Sequence, residues 1–95
     1  MDNMPYVIDL LKEQFDVVAE VADFGYESIL LGRDELDPDL LPEYFDELQT
    51  GEELLVHFYN MEEYVIYIIA GAENNKWQLV GIIRDDYLVY SKPFN

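Results

Sequence analysis

Two different periods of hydrophobic and polar positions run along this chain. Over the first quarter, apolar residues recur at Val7, Leu10, Leu11, Phe15, Val18 and Val21, the spacing of one helical face. Residues 5–23 are therefore expected to form an amphipathic helix. Pro5 suits its first turn, and Asp23-Phe24-Gly25 supplies the stop. A second reading ends the helix near Gln14 and makes 16–22 a strand, because Val17, Val18 and Val21 are β-branched. The adjacent Val17-Val18 pair breaks strict alternation and favours the helix.

After Gly25 the pattern shortens. Tyr26–Gly32 reads as a strand around Ile29, Leu30 and Leu31, and residues 33–41 read as an acidic loop. Pro42 opens a short helix through Gln49, with Leu41, Tyr44, Phe45 and Leu48 inward and Thr50-Gly51 as its stop. Strands are expected at 53–59, 64–70, 77–84 and 87–91. They are separated by turns at 60–63, Glu73-Asn74-Asn75 and Asp85-Asp86, and Pro93 blocks further pairing. The segment Tyr64–Ala70 is the most apolar and is expected to be central, unless it pairs across a dimer. The whole is an α+β fold in one domain spanning residues 1–95. It has an antiparallel sheet of four to five strands, a C-terminal meander, and both helices packed on one face.

Composition changes this picture through charge. The 95 residues include 21 acids and 5 bases, a net charge of −16, while 51% of positions are hydrophobic. That apolar content supports a folded core despite the self-repulsion. The charge argues against direct binding to nucleic acid or to anionic membranes, and for a positively charged protein partner. The absence of cysteine removes disulfides and thiolate chemistry and fits a reducing compartment. The N-terminus lacks a basic patch followed by a long apolar stretch, so the expected location is the cytoplasm, that of a host cell if the gene belongs to a phage.

The carboxylates form two groups. Asp9, Glu13, Asp16, Glu20, Asp23 and Glu27 follow one another at intervals of four and three. On a helix, those through Asp23 would stand opposite the apolar stripe, with a rise of about 5 Å between successive carboxylates. DNA presents a phosphate about every 3.4 Å along each strand, so such a ladder is of a scale that a basic groove could grip. Only Lys12 interrupts it, whereas an ordinary surface helix intersperses bases with acids. The alternative role is a solvated helix face. In the second group, Asp34 to Asn75 holds 12 acids and no Lys or Arg, most densely at Asp34, Glu35, Asp37, Asp39, Glu43, Asp46 and Glu47. It reads either as a loop kept for solubility or as a second binding patch, continuous with the ladder or beside it. Asp34, Asp37 and Asp39 do not follow the order of a calcium-binding loop, and no metal or cofactor is expected.

Eight tyrosines suit a sheet, and those beside acids, Tyr26, Tyr44, Tyr59 and Tyr64, are candidates for an interface. Catalysis finds little support. His57 is the only histidine and reads as a structural strand residue. Ser28, Thr50 and Ser91 lie in no nucleophile setting, and the five glycines form no phosphate loop.

In size, acidity and lack of cysteine and catalytic motif, the chain resembles the small acidic anti-restriction and anti-CRISPR proteins of phages and mobile elements. The resemblance implies an inhibitor that mimics nucleic acid and fills the basic groove of a nucleic-acid-binding protein. The candidates for the contact come from the residues themselves: the ladder from Asp9 through Asp23, the second acid group, Tyr26 and Tyr44. An immunity protein or antitoxin against a basic nuclease toxin is the alternative, and a generic acidic interaction module a further one.

Overall fold

The computed structural model describes residues 3–48 and 51–94. A single α-helix, α1 (Met4–Phe15), precedes five strands: β1 (Gly25–Gly32), β2 (Glu53–Met61), β3 (Tyr64–Gly71), β4 (Trp77–Arg84) and β5 (Tyr87–Pro93). The strands form one antiparallel sheet in chain order, β1-β2-β3-β4-β5. This is the expected α+β architecture, with the meander extending from β2 to β5. β3 is central, so Tyr64–Ala70 is paired on both sides within the chain and does not pair across a dimer.

The helix is shorter than its apolar stripe. α1 ends at Phe15 because Asp16 turns left-handed, at φ 56°. The amides of Asp16 and Val17 then donate back to the carbonyls of Lys12 and Leu11 at 3.0 and 3.3 Å, which closes the last turn. Val7, Leu10 and Leu11 are buried, but Val18 and Val21, the continuation of the stripe, are 78% and 60% exposed. Residues 16–20 are irregular, and Val21–Asp23 is one 3-10 turn. Neither the long helix nor the alternative strand over 16–22 is present.

β3 is apolar at consecutive positions, so both faces of the sheet need cover. α1 covers one face, packing Val7, Leu10 and Leu11 against Tyr59, Tyr64, Ile66, Ile68, Val80 and Ile82. Its start is fixed by Tyr6, whose ring lies 5.3 Å from Trp77 and 5.7 Å from Phe94. The opposite face is covered by the β1–β2 connection, here called the flap. Its Leu36, Leu40, Leu41, Phe45 and Leu48 pack over Leu54, Val56, Tyr67, Ile69, Leu79 and Ile83. The expected helix over 42–49 is instead a 3-10 turn at Glu43–Glu47, and it lies on the other face from α1. Gln49 and Thr50 lie outside the described residues. A segment of five residues opened by Pro42 gains too few backbone hydrogen bonds to hold a helix, and its inward residues need only a turn. The inward assignment of Leu41, Phe45 and Leu48 holds.

Two contacts tie the flap down. The Arg33 amide donates to the Glu52 carbonyl at 2.7 Å and closes its neck. The Tyr67 hydroxyl, rising from β3, donates to the Leu40 carbonyl at 2.7 Å. The Asp85-Asp86 turn has both residues at positive φ, the type I′ geometry that matches strand twist.

Candidate functional site: the acidic flap and an open sheet edge

Of the 21 acids in the chain, all but Asp2 lie among the described residues, and all of those are exposed. The cations offset few of them. Lys12 pairs with Asp16 at 2.9 Å and Arg84 with Glu63 at 3.0 Å, while Arg33 stands 3.9 Å from Asp46.

The helical ladder does not form. Asp9 and Glu13 share a face of α1, beside a groove that also holds Tyr90 and Lys92. Asp16 caps the helix, and Glu20 and Asp23 belong to the following 3-10 turn. There the Asp23 carboxylate accepts the Glu20 amide at 2.8 Å. What replaces the ladder is an end of the sheet. Antiparallel register brings the Glu62-Glu63 and Asp85-Asp86 turns to the end where Gly25 pairs with Asn60. Asp16, after Phe15 on Tyr64, and Glu20 and Asp23, before Gly25, reach the same end.

The second group holds together far better. Asp34, Glu35, Asp37, Asp39, Glu43, Asp46 and Glu47 are all exposed on the flap, whose apolar residues turn inward. Two of them also shape the backbone: Glu35 accepts the Gly32 amide at 2.9 Å and Asp37 the Asp39 amide at 3.0 Å. Arg33 is the flap's one cation, and the flap itself engages it. Its Nη2 donates to the Phe45 carbonyl at 3.1 Å, and its guanidinium sits 4.5 Å from the Phe45 ring centroid. Around it opens a cleft of about 630 Å³ with Leu36, Leu41 and Phe45 in its floor and Asp34, Asp46 and Glu52 on its rim. Because α1 and the flap cover opposite faces, Asp9 and Glu13 on α1 stand on the other side of the sheet from the flap acids.

The chain matches no family model, no curated protein and no solved structure with which it was compared.

The interface tyrosines separate by burial. Tyr59 and Tyr64 are 2% and 6% exposed and belong to the core. Tyr44 is half-buried, with its hydroxyl enclosed. Tyr26 alone of the four is open, at 54%. Its hydroxyl meets Nδ1 of His57 at 3.0 Å, and Nε2 of His57 meets Oδ1 of Asn75 at 2.9 Å. An amide oxygen only accepts, so Nε2 donates to Asn75, and in the neutral ring Nδ1 is then the acceptor for the Tyr26 hydroxyl. His57 is thus a buried strand residue that ties β1 to the β3–β4 turn.

Sequence reasoning missed the exposure of β1. Residues 25–30 are all exposed, including Ile29 and Leu30. β1 lies outside the β2–β5 meander and, among the described residues, has β2 as its one neighbouring strand. Among the described residues no cluster of His, Asp or Glu is arranged to hold a metal, and no helix is long and apolar enough to cross a membrane.

Proposed function

We propose that the protein is an acidic protein-binding inhibitor that mimics nucleic acid. The flap, residues 33–48, is its contact surface, and the basic groove of a nucleic-acid-binding protein is its target. The reading includes an anti-defence role of the anti-restriction or anti-CRISPR type, exercised in the cytoplasm and without a cofactor. The observation that carries it is the flap's composition in space: seven exposed carboxylates against one arginine that the flap's own carbonyl and ring already hold. Such a surface steers toward a cationic groove and exchanges solvent for carboxylate–arginine pairs there.

The test is capture of partners from a host lysate at low salt, elution at high salt, and competition with duplex DNA or RNA. A nucleic-acid-binding protein should be retained and then displaced by nucleic acid. Retention should fall when Asp34, Glu35, Asp37 and Asp39 are changed to Asn or Gln, and persist when Asp9 and Glu13 are. Binding indifferent to both the flap substitutions and added nucleic acid overturns the proposal.

A further inference from the structure

The two edges of the sheet differ. β5 carries Lys92 and Pro93, and a register shift between Ile82 and Ile83 leaves Val89 as an extra residue against β4. Lysine, proline and a bulge are the devices that keep an edge from accepting another strand. β1 has none of them. Gly25–Gly32 pairs with β2 without a break, contains no proline or lysine, and has one charge, Glu27. Among the described residues its outer backbone groups have no neighbouring strand. Neither core cluster includes a residue from 25–30, so Tyr26, Ile29 and Leu30 stay 54%, 39% and 57% exposed. Long, regular, apolar and uncovered, this edge is built to accept a strand.

Charge selects the occupant. Glu20 and Asp23 precede β1, and Asp34 and Glu35 follow it. Antiparallel pairing with a second copy would bring the first pair of one chain toward the second pair of the other, at both ends of the interface, between chains of net charge −16. A strand with basic flanks meets attraction at the same places.

We propose that β1 is a strand-addition site for an extended segment of a basic partner protein, apolar at alternate positions and flanked by Lys or Arg. This rests on the proposed function for the partner's charge, and on β1 alone for the mode of contact. A partner engaged in this way would be held by backbone pairing at the edge while the flap meets its basic surface.

The experiment uses the full chain and a short synthetic peptide with paired lysines flanking an alternating valine–threonine core. One control peptide has a proline in mid-core, and another has glutamates for the lysines. Amide hydrogen exchange is followed at β1 and at the flap. The lysine-flanked peptide should slow exchange across 25–32, the controls should not, and Leu30→Lys should weaken binding about tenfold or more. Slowed exchange confined to 34–47 overturns strand addition and leaves the acidic-surface reading standing. Peptide addition to β1 in a protein that captures no basic partner from lysate does the reverse. No binding of the lysine-flanked peptide at low salt also refutes the site. A dimer seen by sedimentation without peptide, and lost in Leu30→Lys, replaces the basic segment with a second copy.

Discussion

Gly81 should not tolerate a methyl group, and the reason lies across the strand pair. Gly81 sits opposite Tyr67 in the β3–β4 register, and a Cβ on it would stand 2.5 Å from Tyr67 Cε2 and closer still to Cζ and Oη. The ring cannot retreat easily. Tyr67 is 3% exposed, and its hydroxyl holds the Leu40 carbonyl of the flap. Overpacking a filled core costs about 1–3 kcal/mol, and losing the hydrogen bond adds about 1 kcal/mol. Against this, Gly→Ala restricts the unfolded chain and stabilises by about 0.4–1 kcal/mol where the backbone permits it. It does permit it here, since Gly81 has no positive φ. Steric cost wins, and Gly81→Ala should lose about 2–3 kcal/mol net. With a urea dependence of roughly 1–2 kcal/mol/M, the unfolding midpoint should fall by about 2 M. A double-mutant cycle isolates the cause. Tyr67→Leu removes the three clashing atoms, so Gly81→Ala should be neutral or slightly stabilising in that background. Equal costs in both backgrounds, or a loss under about 0.5 kcal/mol in the parent, would refute the reasoning.

Burial pushes the Tyr67 phenol well above its ordinary value of 10.0, and Tyr44 adds to the shift. The folded state then keeps a proton that the unfolded chain loses, so stability should hold below pH 10 and decline above it, by about 1.4 kcal/mol per pH unit. Tyr67→Phe should be less stable by about 1 kcal/mol near pH 8, and denaturant midpoints should show that gap narrowing as pH rises past 10. Asn75 combines φ 52° with the acceptor for His57. Asn75→Gly should cost about 1 kcal/mol for the lost hydrogen bond, and Asn75→Ala about 1 kcal/mol more for the left-handed backbone; equal losses would argue against the separation. Because exposed carboxylates far outnumber cations, raising salt should shift the thermal midpoint upward by screening repulsion, a trend that Gln and Asn substitutions on the flap should flatten.

Strand positions were legible because their signals are local. Trp77–Arg84 was bounded correctly, and the other four strands to within two residues at either end, by turn residues beside β-branched and aromatic runs. The end of α1 was not legible. Val18 and Val21 keep the helical period past Phe15 by coincidence, and the stop is an aspartate in a left-handed conformation, where the sequence offers no glycine. That error propagated directly into the site, since the acid ladder existed only if 16–23 was helical. The flap's acidic surface was legible from its base-free run. Its face was inferred wrongly, although the uninterrupted apolar character of β3 already required cover on both sides. Tyr59 and Tyr64 misled because neighbouring acids mark a turn as readily as an interface.

The packing of Tyr6 against Trp77 and Phe94 sets an order of events during synthesis. Each hairpin from β2 onward can close as soon as its own second strand leaves the ribosome. α1 is made before the sheet and yet finds its second ring partner, Phe94, only after β5 has been translated. Until β2, β3 and β4 have paired, its apolar face has no sheet to rest on, so the nascent chain must shield that face or leave it wet.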